Sequence, residues 1–110
     1  MMEAHEHITM LTALKLLKTN RQRRQFVNTS LPNSTVKTIC EALYNISHAY
    51  CKNINKQQLK KLIKYKRVVR QLANKPLYPI KRKRDLITNQ KGGFLPVVLP
   101  LILSALENVL

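Results

Sequence analysis

Residues 90 to 103 read QKGGFLPVVLPLIL, and this stretch divides the chain into two parts of opposite composition. The two glycines of the protein stand side by side at positions 92 and 93. Before them the chain is strongly basic, and after them no charged residue occurs until Glu107. The sequence therefore predicts a basic domain over residues 1–89, followed by a junction and hydrophobic tail over residues 90–110.

The charge balance limits what the chain can do. Twenty Lys and Arg against five Asp and Glu give a formal net charge of +15 on 110 residues. Such an excess opposes compaction by self-repulsion unless a polyanion neutralises it, so nucleic acid is the first partner to consider and an anionic membrane the second. A chain of this length forms one small domain without the deep cleft of a two-lobed enzyme. No enzymatic activity and no catalytic residue are predicted.

The apolar residues predict an all-α fold. Glycine is scarce, strand-like alternation is absent, and apolar positions recur at steps of three and four residues. This spacing indicates three main helices and one or two short ones. A short basic helix is expected from Ile80 to about residue 89, and another near Phe26. In the tail, Pro96 and Pro100 predict a helix from Pro100 onward. The main helices are predicted over residues 6–19, 34–51 and 55–74.

Positive charge is concentrated in one block. Residues 52–91 hold fourteen Lys and Arg against a single acid, Asp85. On one continuous helix over 55–74, four of these cations fall within about a quarter turn, opposite an apolar side. No zinc finger, aromatic RNA-binding pattern or helix-turn-helix signature is present, so contact with phosphates is favoured over base readout. The alternative is a solvated helix face. The predicted phosphate contacts are Lys56, Lys60, Lys64, Arg67, Lys81, Arg82, Lys83 and Arg84.

Other motifs carry weaker predictions. Residues 81–84, KRKR, also read as a nuclear localisation cluster, although DNA contact alone explains the same residues. Cys40, His48 and Cys51 provide three potential ligands, and Cys40 lies on an apolar stripe, so no metal site, cofactor or Cys–His nucleophile is predicted. Two cysteines make no secreted-type disulfide scaffold, and the acidic N-terminus is unlike a signal peptide, which favours an intracellular setting.

The tail has three interpretations: a core strip folded back onto the domain, an interfacial membrane segment, or a removable extension. Its 13 uncharged residues, 94–106, are too few to span a bilayer, since a helical span needs about 20. It ends near Glu107 without a basic residue to attract lipid, which makes a poor match to a basic amphipathic anchor.

The order of parts around the glycines is similar to a viral precursor. A basic segment, Gly92-Gly93, and then an aliphatic run with two prolines four apart resemble the end of the adenovirus core-peptide precursor pX, from which the DNA-condensing peptide mu is released. This likeness covers about residues 80–106. The basic helical part looks like small proteins of Polinton or Maverick elements and adintoviruses. It has no counterpart in the adenovirus precursor, which is also richer in arginine.

The resemblance implies a virion protein bound to packaged DNA and matured by an adenain-like cysteine protease. Such proteases favour Gly-Gly preceded by a hydrophobic or amide residue. Carried over to this chain, Gln90 takes the upstream specificity position, Lys91 the permissive one, and Gly92 and Gly93 the last two. The predicted cut is between Gly93 and Phe94. The alternative for the glycines, a helix C-cap with a linker, is compatible with cleavage.

Together these observations predict a sequence-nonspecific DNA-binding core protein precursor of an adenovirus-like element, located in the virion and the host nucleus. Its expected partners are double-stranded DNA and the adenain-like protease. The alternative is a membrane-active or capsid-docking virion protein that acts through residues 94–110. A third possibility is a regulatory DNA-binding protein that never enters a particle.

Overall fold

A computed structural model describes residues 4–47, 56–74, 78–89 and 94–107 of the chain. These ranges contain seven helices and no strand, which confirms the all-α class. In chain order the helices are α1 (Ala4–Leu16), α2 (Asn20–Thr29), α3 (Asn33–Ser47), α4 (Lys56–Ile63), α5 (Lys66–Asn74), α6 (Ile80–Thr88) and α7 (Phe94–Glu107).

Helix α7, which contains the hydrophobic stretch, is part of the hydrophobic core. It packs against α1, α3 and α4. Its buried positions cover an arc of about 200° at 100° per residue, wider than the stripe of a surface helix, as expected for a helix that packs against three others. No helix of the described ranges combines the length and apolarity needed to cross a membrane. The core residues from α7 are Phe94, Leu95, Val98, Leu99, Leu101, Ile102, Leu103 and Ala105.

The two prolines do not delay this helix, so the prediction of a start at Pro100 was wrong: α7 begins at Phe94. Pro96 falls in the first turn, where a backbone N–H would have no helical acceptor in any case. Pro100 lies inside the helix, and its missing N–H leaves the carbonyl of Pro96 without a helical donor. Because Pro96 is exposed, water can bond to this carbonyl.

The helix predicted over residues 55–74 is two helices in the structure. Helix α4 ends at Ile63, and a tight turn follows in which the N–H of Tyr65 donates to the carbonyl of Leu62 at 2.9 Å. Neither Gly nor Pro marks this break. Its cause is tertiary, since α4 packs on α7 while α5 packs on α3 and α6. The apolar stripe of the predicted helix is thus divided, with its first half facing α7 and its second half facing α3 and α6.

Helix α2 begins earlier than the prediction near Phe26, because a capping box starts it. The Thr19 hydroxyl accepts the N–H of Gln22 at 3.1 Å, and the Gln22 side-chain oxygen accepts the N–H of Thr19 at 3.3 Å. These bonds satisfy donors that have no partner within the helix. The arginines at positions 21, 23 and 24 are therefore inside a helix rather than ahead of it.

A buried polar contact fixes α1 against α3. The Nδ1 atom of His7 and the Thr35 hydroxyl lie 2.9 Å apart, and both residues are buried. Helix α3 begins at Asn33, and the carbonyl of Pro32 accepts the N–H groups of Thr35 and Val36. The observed start is one residue before the predicted start at residue 34. Its predicted end, residue 51, lies outside the described residues.

Candidate nucleic-acid interface

The arginines of the chain share one region of the structure. Helix α6 packs against both α2 and α5, so these three helices form a continuous layer that we call the arginine layer. It carries all seven arginines of the sequence, although they come from three separate segments. They are Arg21, Arg23, Arg24, Arg67, Arg70, Arg82 and Arg84.

Most of the positive charge faces solvent. Among the described residues, fourteen lysines and arginines are exposed, against four exposed acids. Five of the exposed cations are arginines of the arginine layer, at positions 21, 24, 67, 70 and 82. A guanidinium presents donors in a planar fork that matches two phosphate oxygens, so this layer is chemically suited to a phosphodiester backbone.

The lysines predicted to contact phosphate on one helix face are arranged differently. Lys56 and Lys60 are exposed on α4, and Lys64 lies in the turn after it, with its ammonium 5.7 Å from the Tyr65 ring centroid. Arg67 is exposed on α5. Because the helix is interrupted at residue 64, the predicted single cationic face does not exist. The four side chains are all exposed, on two helices and the turn between them.

The basic cluster on α6 divides into two outward and two inward side chains. Lys81 and Arg82 are exposed, and the Arg82 guanidinium lies over the Tyr78 ring at 4.9 Å from its centroid. Lys83 is 6% exposed and Arg84 is partly buried. Four consecutive residues on a helix point in four directions about 100° apart, so they cannot all face one partner. The structure brings Lys81 and Arg82 to the surface, and it turns the other two toward α2, α3 and α5.

Arg84 connects α6 to the link between α2 and α3. Its Nη1 atom donates to the carbonyl of Val27, in the last turn of α2, and its Nη2 atom donates to Asn33 Oδ1 at 2.7 Å. The Val27 carbonyl is among those that a helix leaves without an internal partner. Arg23 acts similarly at the other end of α2, where Nη1 donates to the Leu17 carbonyl at 2.7 Å. Arg84 thus joins two helices of the arginine layer, and Arg23 ties α2 to the link after α1.

Substituting Arg84 by Met should lower the stability of the domain. The change leaves a partly buried carbonyl and an amide oxygen without their donor, at a cost of about 1–3 kcal/mol. For a domain of this size, each kcal/mol lowers Tm by roughly 4–8 °C. Thermal unfolding followed by circular dichroism measures the change. Arg82→Met is the matched control, since it removes an exposed arginine from the same helix. Equal Tm values for the two variants would contradict the positioning role of Arg84.

A cavity of about 720 Å³ opens between α3, α5 and α6, and Cys40 and Lys83 both line it. Burial raises the pKa of the Cys40 thiol; the nearby charge of Lys83 lowers it and that of Glu41 raises it. Within the described ranges, no group of three His, Cys, Asp or Glu is placed to hold a metal ion. His48 and Cys51 lie outside the described residues.

Residues 90–93, the predicted protease recognition sequence of Gln90, Lys91, Gly92 and Gly93, also lie outside them. Phe94, on the other side of the predicted cut, is the first residue of α7 and is buried. Its ring packs edge-on against the Tyr65 ring, with centroids 5.3 Å apart and planes at 70°. The predicted cleavage point is therefore attached directly to the core.

Comparisons with known proteins give no relative from which a function could be carried over to this chain. No protein-family model, curated protein or solved structure matches the chain. The likeness to the adenovirus core-peptide precursor thus stands on the residues quoted for it. The support for a function therefore comes from the charges and the packing of the chain.

Sequence reasoning missed three of the exposed arginines in the candidate interface, Arg21, Arg24 and Arg70. Lysine and arginine were counted together, so the lysine-rich segment of α4 supplied much of the predicted set. A signal was present, because arginine occurs in three short segments while lysine is spread along the chain. The orientation of Lys83 also had a signal. Ile80, Lys83 and Ile87 follow helical spacing, which places Lys83 on the buried face of α6.

Proposed function

We propose that this protein is a non-enzymatic, sequence-nonspecific DNA-binding core protein that neutralises packaged DNA in the virion of an adenovirus-like element. The observation that carries the proposal is the continuous arginine layer within a surface of fourteen exposed cations and four exposed acids in the described part of the chain. Charge of one sign at this density attracts a polyanion, and binding releases the counterions condensed on it.

The proposed phosphate contacts are the exposed cations of α2, α4, α5 and α6. From the predicted set, Lys56, Lys60, Lys64, Arg67, Lys81 and Arg82 have the exposure that contact requires. Arg21, Arg24 and Arg70 extend this surface along the arginine layer. Lys83 and Arg84 contribute through the field of their charges and through packing, because their side chains point inward. All these groups recognise phosphate, which is the same for every base sequence, so the binding is nonspecific.

Location in the virion and host nucleus, and maturation by an adenain-like protease, are supported by the Gly92-Gly93 junction and its resemblance to the adenovirus precursor. The packing of α7 adds a constraint to this part of the proposal. A protease that binds its substrate in extended form needs residues on both sides of the bond. Phe94 is helical and buried, so cleavage takes place before α7 docks or after its first turn opens.

The second function, membrane activity or capsid docking through residues 94–110, would require the apolar side chains of α7 to leave the core. Eight of the residues in this helix are buried among α1, α3 and α4. The folded protein thus presents the cationic surface to partners and encloses the apolar one. This arrangement favours the DNA-binding function over the membrane function, and any capsid partner of the folded state would contact the outer surface.

Binding to a random-sequence DNA duplex, measured by fluorescence anisotropy, tests the proposed surface. A triple variant, Arg21→Gln, Arg70→Gln and Arg82→Gln, should weaken binding by roughly tenfold or more, since each lost phosphate contact removes one released counterion. The matched control neutralises three exposed lysines outside the arginine layer, Lys15, Lys18 and Lys37, and has the same net charge. Equal losses in both variants would show that net charge alone governs binding, and undiminished affinity in the first would contradict the proposal.

Mass spectrometry of purified particles tests the virion and maturation parts. The proposal expects the chain inside particles, with a C-terminus at Gly93 in mature ones. Absence from particles would instead support a regulatory DNA-binding role. Detection of fragment 94–110 beside the larger fragment would show that the cut chain stays assembled.

A further inference from the structure

The cavity between α3, α5 and α6 combines an apolar floor with basic groups. Leu72 and Ala73 of α5 and Cys40 of α3 provide the apolar part of its lining. Lys83 enters from α6, and Lys37 stands on the exposed side of α3. Its volume of about 720 Å³ falls in the range of small-molecule sites, which run from about 300 to 1,000 Å³. A ligand of this site would therefore meet apolar surface and positive charge together.

Lys83 is the group that sets this cavity apart from an ordinary surface depression. The residue is 94% buried, being 6% exposed, and it lines the cavity. None of the hydrogen bonds among the described residues involves its ammonium group. Within the described ranges its nitrogen is not one of the buried atoms that lack a partner, so the ammonium is accessible from the cavity although most of the side chain is covered. The ammonium thus offers unused donors to whatever enters the cavity.

We infer that this cavity is a binding site for a small organic anion, whose charged head group pairs with Lys83 and whose apolar body lies on Leu72 and Ala73. Lys37 adds a second positive charge at the edge of the cavity. Glu41 is the one acid that lines it, and its charge opposes the ligand. The inference does not depend on DNA binding, because the ligand enters between helices instead of lying across their outer surface.

The test uses the full ¹⁵N-labelled chain at moderate salt, titrated with octanoate and followed by amide chemical shifts. Octanoate has both parts of the proposed ligand, 1-octanol has the apolar part alone, and inorganic phosphate has the charge alone. The expected result is a set of saturable shifts at Cys40, Leu72 and Ala73 with octanoate, at concentrations where the other two give little. Equal binding by octanol would show that the site does not recognise charge. Equal binding by phosphate would show that the apolar floor does not contribute to binding. Either result overturns the inference.

Variants identify the groups involved. Lys83→Met keeps an unbranched side chain one atom shorter, removes its charge, and should weaken octanoate binding by roughly tenfold or more. Lys81→Met, an exposed lysine of the same helix, is the matched control and should leave the affinity unchanged. Glu41→Gln removes the opposing acid and should tighten binding by about threefold. If Lys83→Met fails to fold, Glu41→Gln decides: tighter binding supports the site, and unchanged affinity overturns it.

The thiol beside the ammonium gives an independent readout. In a Cys51→Ser background, octanoate should slow the alkylation of Cys40 by N-ethylmaleimide, because the ligand covers the sulfur. The anion also cancels the Lys83 charge, which otherwise lowers the pKa of the Cys40 thiol and so favours the reactive thiolate. An alkylation rate that is the same with and without saturating octanoate would place the ligand elsewhere and overturn the inference.

Discussion

Deletion of residues 94–110 should leave the rest of the chain without a stable fold. The deletion removes seven large buried side chains and Ala105 from the hydrophobic core. Burial of a large apolar side chain contributes about 1.5–3 kcal/mol. Seven of them amount to about 10–21 kcal/mol before the entropy cost of ordering α7 is subtracted, which is comparable to the whole stability of a typical domain, about 5–15 kcal/mol. The helices α1, α3 and α4 would also expose the surfaces that α7 covers.

Far-ultraviolet circular dichroism and amide chemical shifts measure this loss. The truncated chain should show strongly reduced helicity, collapsed amide dispersion and no cooperative thermal transition. The matched control is the full chain cut at a protease site engineered into residues 90–93. It has the same covalent break but keeps α7, and it should remain folded as two associated chains. A truncated chain that melts cooperatively near the Tm of the full chain would show that α7 is dispensable.

Affinity for duplex DNA should fall steeply as salt rises. If six or more of the exposed cations contact phosphates at once, binding weakens by about 10³-fold or more between 50 and 200 mM monovalent salt. The physical reason is entropic: each neutralised phosphate releases a condensed counterion, and this release is worth less in a concentrated salt solution. The structure measures 32 × 31 × 30 Å, so one protein covers about nine base pairs at roughly 3.4 Å each.

A titration over that salt range, with several unrelated duplex sequences, gives the slope of log K against log salt. The slope should be the same for all sequences, and Arg82→Gln should reduce its magnitude by about one. Circular dichroism at each salt concentration checks that the protein stays folded. An affinity that does not change with salt, or one that depends strongly on sequence, would rule out nonspecific phosphate binding.

The helix class and the ends of several helices could be predicted from local signals. Helix α6 begins at the predicted Ile80, directly after Pro79, which lies at the N-cap, where its missing N–H costs no helical hydrogen bond. The break at Lys64 and Tyr65 could not be predicted, since it depends on which helices α4 and α5 pack against. The start of α7 was missed for a related reason. Proline predicts a break unless burial of the surrounding side chains stabilises the helix.

The phosphate contacts were predicted from the number of charged residues. That number does not show which side of a helix each side chain faces. Lys81 and Lys83 are chemically identical and two positions apart, yet one is exposed and the other is buried. The spacing of Lys83 from Ile80 and Ile87 contains that information. The role of Arg84 was not accessible in the same way, because its acceptors, Val27 and Asn33, are 57 and 51 residues away in the chain.

The position of α7 in chain order has a consequence for how the molecule forms. Helix α7 follows the other described helices in the chain, so during synthesis α1, α3 and α4 are made before the helix that packs against all three. Contacts between α1 and α7 join the two ends of the described chain, and such long-range contacts slow folding. Until α7 docks, the faces of α1, α3 and α4 that it covers stay exposed. Phe94 becomes buried only when α7 docks, so a protease reaches the predicted cleavage point most easily before that step.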